Sequence, residues 1–130
     1  MAISIGSNTG PREESVKEAI AEVGRLLDGE VRFSSLYETP CAKAGKKPYI
    51  NAVVVGDFAG EIDELEMRLK EYEIRRGRTA EARERGEVPI DIDIVIAGSR
   101  VLKEWDYRQK FFKKGYEEVT GSIKGPKISI

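Results

Sequence analysis

The sequence predicts an α+β fold, a mostly antiparallel four-stranded sheet with two helices packed on it and an irregular C-terminal extension. Three observations predict it. Apolar residues alternate with period two in four short segments, and they recur at helical spacing in two longer ones. These segments also follow one another as strand, helix, strand, strand, helix, strand. The chain of 130 residues is 40% hydrophobic and suits one domain, residues 1–130, with one core.

The first strand runs from Ala2 to Ile5 and is stopped by Gly6-Ser7-Asn8-Thr9-Gly10. Pro11 opens the first helix, where its missing N–H costs nothing. Val16, Ala19, Ile20, Val23 and Leu27 give that helix one apolar stripe, and Asp28-Gly29 ends it. Val31, Phe33, Ser35 and Tyr37 alternate as a second strand, followed by a turn-rich segment from Thr39 to Pro48. Ile50 to Phe58 is a third strand, apolar enough to be central. Ile62, Leu65, Leu69 and Tyr72 mark the second helix, with Gly77 as its C-cap. Ile90 to Ala97 is the fourth strand. Residues 99–119 add an irregular or helical segment carrying Trp105, Tyr107, Phe111, Phe112 and Tyr116, and 121–130 read as a short added strand or a loose end. The order βαββαβ is the ferredoxin-like arrangement, a superfold that by itself says little about function.

With 35% charged residues and a net charge of −1, the composition gives no global electrostatic case for nucleic acid binding. A single cysteine, Cys41, excludes an intrachain disulfide and fits a reducing cytoplasm. No run approaches membrane-spanning length and none resembles a signal segment, so the expected location is cytoplasmic.

The chemistry concentrates in Pro89-Ile90-Asp91-Ile92-Asp93-Ile94-Val95-Ile96. In a strand, residues i and i+2 share a face, so Asp91 and Asp93 point the same way from an apolar segment. At about 6 Å and an effective dielectric of roughly 20, two bare carboxylates repel by on the order of 3 kcal/mol. A raised pKa, an arginine or a divalent cation would relieve this, and the absence of histidine favours an oxygen-liganded ion such as Mg²⁺. The plainer alternative is two exposed aspartates on the wet face of an edge strand.

Five arginines fall between positions 75 and 85 (Arg75, Arg76, Arg78, Arg83, Arg85), and the loop from Arg78 to Val88 would bring several to the strand end. An anion could bind there between guanidiniums and metal. Glu71 with Arg75 and Glu81 with Arg85 equally have the spacing of a solvated helix surface. Thr39-Pro40-Cys41 with Tyr49-Ile50-Asn51 offers an aromatic ring and an amide beside a rigid turn, suited to a flat heterocycle or simply to a hairpin. Cys41 has no histidine to activate it and reads as a packing or loop residue. Gly6-Ser7-Asn8 lacks the spacing of a phosphate loop and reads as a turn that buttresses the sheet end. Trp105, Phe111 and Phe112 read as core or lid aromatics, one of them available for stacking.

Taken in order, Ile5-Gly6-Ser7-Asn8, Tyr37-Glu38-Thr39-Pro40, Tyr49-Ile50-Asn51-Ala52-Val53, Glu73 with Gly77-Arg78, and Pro89 to Ile94 resemble 6-hydroxymethyl-7,8-dihydropterin pyrophosphokinase over about residues 2–98. The resemblance implies transfer of the β,γ-pyrophosphate of ATP to the pterin hydroxymethyl group, giving AMP and the pterin diphosphate of folate synthesis. It implies that Asp91 and Asp93 hold two Mg²⁺ ions and that Asn51 reads the pterin edge. Thr39, Pro40 and Ala42 would give backbone contacts, Tyr49 would cover one ring face, and Phe111, rather than Phe112, would stack on the ring. Arg78 matches the first arginine of the family's mobile catalytic loop, and Glu73 and Ile94 match positions in the ATP pocket. The partners implied are ATP and the dihydropterin, with a monomer as the expected state and another folate-pathway enzyme as a candidate neighbour.

The resemblance also has gaps. Where the family usually has Trp-Gly-Pro-Arg, this chain has Arg85-Gly86-Glu87-Val88, so Val88 replaces the second catalytic arginine. Arg83 or Arg85 would have to reach the phosphates instead. The Pro-His-Pro segment that helps close the ATP site is missing, with Trp105-Asp106-Tyr107-Arg108 near its place. The readings left open are an active enzyme, a pterin- or nucleotide-binding homologue with weak or no transfer, and a regulatory module for another small ligand.

Overall fold

Alternation along three central strands decides which side of the sheet each helix covers. The structure, a computed structural model, describes residues 1–40 and 47–121. Its elements are β1 (Ala2–Ser7), α1 (Arg12–Leu26), β2 (Asp28–Phe33), β3 (Tyr37–Thr39), β4 (Tyr49–Asp57), α2 (Ile62–Arg75), α3 (Ala80–Glu84), β5 (Asp91–Ala97), β6 (Arg100–Val101), α4 (Glu104–Arg108) and α5 (Lys110–Thr120). The sheet runs β2-β4-β1-β5-β6 with β3 also paired to β4, every pairing antiparallel. This is the ferredoxin-like arrangement with two short additions. Cys41 and Ala42, and the tail 122–130, lie outside the described residues.

Ile3 and Ile5 of β1, Ala52 and Val54 of β4, and Ile92 and Ile94 of β5 face α1 and α2 and join Val16, Val23, Leu65 and Leu69 in the main core. Each of these valine, leucine and isoleucine side chains contributes about 1.5–3 kcal/mol on burial. The intervening residues face the other way. There Ala2, Val53 and Val95 meet Phe112 of α5 in a second, smaller core. Gly115 lets α5 approach that closely: a Cβ there would lie 2.5 Å from the Tyr37 hydroxyl and 2.7 Å from Val53 Cγ2.

Three expectations need correction. The predicted second strand is two strands, because Ser34 interrupts it. Its N–H donates to the Val53 carbonyl (2.9 Å), while its Oγ accepts from the Val53 N–H (2.9 Å), so a side chain takes over the ladder for one residue. The loop from Arg78 to Val88 contains the helical turn α3, started by Thr79, whose Oγ1 accepts from the Ala82 N–H, and anchored by buried Ala82. The C-terminal extension is helical rather than irregular, because Phe112 and Gly115 give α5 a face that the sheet can bury.

Candidate active site

Strand register builds the site. Gly6 of β1 lies opposite Asn51 of β4 on one side and Asp91 of β5 on the other. One row along, Ser4 lies between Val53 and Asp93. All of these residues share the sheet face that α5 covers only in part. Past the apolar contact of Phe112, that face turns polar: Asn51, Asp91 and Asp93 stand around a glycine.

Gly6 is there for space. A Cβ on it would come within 2.9 Å of Asn51 Oδ1 and 3.3 Å of the Tyr49 ring. The Asn51 side chain donates through Nδ2 to Thr39 Oγ1, which leaves its carbonyl oxygen directed toward Gly6. Thr39 pairs with Tyr49 across β3 and β4, so Thr39, Tyr49 and Asn51 form one polar and aromatic patch, with exposed Pro40 just beyond. Phe111 is half-buried and its ring centre lies 6.0 Å from that of Trp105, which is 61% exposed. Phe112 is wholly buried in the second core, so of the two phenylalanines only Phe111 has an exposed surface.

Around the aspartates the charge is dense and ordered. Arg78 Nη1 donates to Asp91 Oδ1 (2.6 Å) and to the Ile90 carbonyl, and lies 3.3 Å from Glu73 Oε1. Lys70 Nζ reaches around the strand edge to Asp93 Oδ1 (3.3 Å), Glu73 Oε2 (3.1 Å) and the Ile92 carbonyl (3.0 Å). Lys103 Nζ approaches Asp93 Oδ1 at 3.9 Å. Glu73, with only 5% of its side chain exposed, accepts the Ile92 N–H at 2.7 Å. That contact is needed because β6 pairs only with Ile96 and Ala97, which leaves the edge of β5 open at Ile92.

The two aspartates are driven apart in acidity. Burial, and then the Asp91 charge, push Asp93 up to about 7, with Lys70 opposing. Burial also raises Asp91, but Arg78 and a hydrogen bond from Asp93 outweigh it and hold that carboxyl below its usual range. Burial raises Glu73 as well, opposed by the Ile92 N–H and Lys70. Asp93 is therefore the carboxyl of the pair that takes up a proton first as pH falls. This is the response expected of two carboxylates held side by side. The donor set fits Mg²⁺: among the described residues no third acidic, histidine or cysteine ligand joins the pair. Mg²⁺ bound together with phosphates uses only one or two carboxylates and fills its other positions with water and substrate oxygens.

This geometry can be set beside known proteins. The family model for 7,8-dihydro-6-hydroxymethylpterin-pyrophosphokinase matches residues 2–120. The chain belongs to that family. It is 33% identical over 108 residues to the folate synthesis bifunctional protein of Chlamydia trachomatis, covering 78% of this chain and 24% of that one. It is 36% identical over 99 residues to the mitochondrial folate synthesis bifunctional protein of Pisum sativum, covering 75% of this chain and 19% of the relative. The chain thus spans about a quarter or less of the length of these two relatives. Members of the pterin pyrophosphokinase family transfer pyrophosphate from ATP to hydroxymethyldihydropterin in folate biosynthesis.

Not every residue expected from the sequence meets at this site. Arg83 is exposed on α3, and Arg85 pairs with Glu87 (2.9 Å) rather than with Glu81 or the aspartates. The Ile94 side chain lies in the main core, on the opposite face from Asp93. Val88, which the sequence resemblance sets against the second loop arginine, is buried and clamped. Its N–H donates to Asn8 Oδ1 (2.6 Å), its carbonyl accepts the Asn8 N–H (3.0 Å), and Asn8 Nδ2 donates to the Gly86 carbonyl (3.2 Å). The expected turn at Gly6-Ser7-Asn8 needs correction: Gly6 and Ser7 continue β1, paired with Asn51 and Ile50, and it is Asn8 that buttresses the strand end. Sequence reasoning missed Gly6, Lys70 and Lys103. The spacing of Lys70 to Glu73 on one helix flank was a usable signal for the first lysine. Nothing in the sequence marked Lys103.

Proposed function

We propose that residues 1–130 work as one pyrophosphokinase domain that transfers the β,γ-pyrophosphate of ATP to 6-hydroxymethyl-7,8-dihydropterin. The observation that carries this reading is the row Asn51–Gly6–Asp91. It sets a heterocycle-reading amide on one side of a glycine gap and a carboxylate pair ringed by Arg78, Lys70 and Lys103 on the other.

In this reading Asp91 and Asp93 hold two Mg²⁺ ions. Bound there, Mg²⁺ neutralises the triphosphate and lowers the cost of bringing the pterin hydroxyl to it. Asn51 hydrogen-bonds the pterin edge, Thr39 and Pro40 contact it through the backbone, and Tyr49 and Phe111 cover its ring faces. The hydroxymethyl oxygen bonds to the β-phosphorus as the bond from that phosphorus to the α,β-bridging oxygen breaks. AMP leaves and the hydroxyl proton passes to solvent. Arg78 stabilises the charge on the transferring group, and Arg83 and Arg85 reach the phosphates only if α3 moves over the site. Glu73 holds the β5 edge in place, and Ile94 contributes through its backbone beside the nucleotide. The domain acts as a monomer in a reducing compartment such as the cytoplasm. A second folate-pathway enzyme is a candidate neighbour, since the relatives named above are bifunctional.

One observation favours a second reading, a binding homologue with little transfer: Val88 is buried and locked where the family has an arginine. A direct assay separates the two. Protein, ATP, Mg²⁺ and reduced hydroxymethylpterin are incubated, and AMP and pterin diphosphate are quantified, with Asp93→Ala as the blank. Stoichiometric AMP and pterin diphosphate support the enzyme. Tight pterin binding without product supports the binding homologue.

A further inference from the structure

Among the described residues, Lys70 is the one cation at the aspartates that comes from α2 rather than from the loop or the extension. It is placed where it must interact with whatever the aspartates bind. Its ammonium sits 3.3 Å from Asp93 Oδ1, and Asp93 has only 16% of its side chain exposed. An ion bound to that oxygen would therefore lie beside the Lys70 ammonium. An Mg²⁺–carboxylate contact needs about 2.0–2.1 Å, and a divalent ion that close to Asp93 would repel an ammonium still in place. Lys70 has other anchors: Glu73 Oε2 at 3.1 Å, the Ile92 carbonyl at 3.0 Å and Glu66 Oε2 at 4.0 Å. Losing Asp93 leaves it held near the same spot, along the open edge of β5, beside the space that an anion bound with the metal would take.

We infer that Lys70 is a built-in counter-cation for Asp93, displaced by the metal and then engaging the triphosphate as a phosphate-binding residue in a chain whose loop arginine is replaced by Val88. This rests on the reading of Asp91 and Asp93 as metal ligands. Two consequences follow. Without nucleotide, the aspartate pair holds divalent metal weakly, because Lys70 competes for it. With nucleotide, the incoming negative charge lets metal and ammonium bind side by side, so that metal and ATP enter together.

The test is direct Mn²⁺ binding, followed by electron paramagnetic resonance, to wild type, Lys70→Gln, Lys70→Arg and Asp93→Ala. It is run with and without a non-hydrolysable ATP analogue and paired with steady-state kinetics. Removing the competing charge is expected to tighten nucleotide-free Mn²⁺ binding about tenfold in Lys70→Gln and to raise the KM for ATP by a similar factor. Lys70→Arg, which keeps the charge, should remain as weak as wild type. Nucleotide-free Mn²⁺ affinity that is unchanged or weaker in Lys70→Gln, while wild type binds Mn²⁺ with the analogue, overturns the role of Lys70 alone. A wild type that binds no Mn²⁺ even with the analogue overturns it together with the metal reading.

Discussion

The two faces of one sheet follow opposite rules. On the face under α1 and α2, residues from β1, β4 and β5 are aliphatic and wholly buried, closing against Val16, Leu65 and Leu69. On the other face the same strands are apolar at one end of the sheet, with Ala2, Val53 and Val95 beneath Phe112, and change toward the other end to Gly6, Asn51, Asp91 and Asp93. The first face holds the fold together. The second accepts an unfavourable arrangement, two carboxylates side by side, on a framework that the first keeps rigid. Stability and function are thus divided by the two-residue period of a strand.

The largest effect expected from breaking this division is on the polar half. Asp93→Ala should lower kcat/KM on the order of 10³-fold, while its unfolding free energy stays at or above that of wild type, because the like-charge pair is gone. Activity assays beside urea denaturation of both proteins check this. Leu69→Ala on the aliphatic face should do the reverse: a loss of about 2–5 kcal/mol in denaturant unfolding, with near-normal turnover by the molecules that remain folded.

A third experiment sharpens the boundary between the apolar and polar halves. The Tyr37 hydroxyl donates to the Phe111 carbonyl and accepts the Gly115 N–H, which ties α5 to β3. Burial foremost, with the Glu118 charge adding to it and the Gly115 contact opposing, raises its pKa from 10.0 to about 12. Because the folded-state pKa lies above the unfolded value, the neutral phenol favours the native state. That contribution is intact below pH 10 and is lost as pH rises toward about 12. Wild type should therefore lose about 2–3 kcal/mol across this window, and Tyr37→Phe should lack that part of the decline. Urea titrations at several pH values compare the slopes.

The smallest effect expected is at Gly6. In Gly6→Ala the new methyl would displace the Asn51 amide, 2.9 Å from the position it takes. The affinity for pterin should fall about tenfold, with affinity for ATP and thermal stability nearly unchanged. Separate calorimetric titrations with each ligand read this out.

Much of this division was legible in the chain. The alternation in 90–96 identified both a strand and the pairing of Asp91 with Asp93, because period two needs no tertiary information. The helical stripes identified α1 and α2 for the same reason. The rest depended on contacts between distant residues. The break at Ser34 exists because its hydroxyl finds the Val53 N–H, 19 positions away. α5 covers the second face because Gly115 admits Tyr37 and Val53, and an isolated glycine in a polar helix gives no sign of that. Gly6 reads as a turn glycine until its register with Asn51 and Asp91 is known. Lys70 reads as a surface lysine until the open edge of β5 draws it to Asp93. The arginine-rich stretch misleads in the other direction: only Arg78 of the five lies against the aspartates, since α3 carries Arg83 outward and Arg85 finds Glu87.

The claim that the polar half of the second face is a metal–nucleotide site is tested most directly by thermal unfolding. Wild type and Asp91→Asn are melted with Mg²⁺ and a non-hydrolysable ATP analogue at about 100 times the dissociation constant, where binding adds about 2.7 kcal/mol. Wild type should gain several degrees only when Mg²⁺ and the analogue are both present. Asp91→Asn, which loses the ion pair with Arg78, should melt somewhat lower than wild type without ligand and gain nothing with it. Equal gains in the two proteins, or a gain from the analogue without Mg²⁺, would contradict the account.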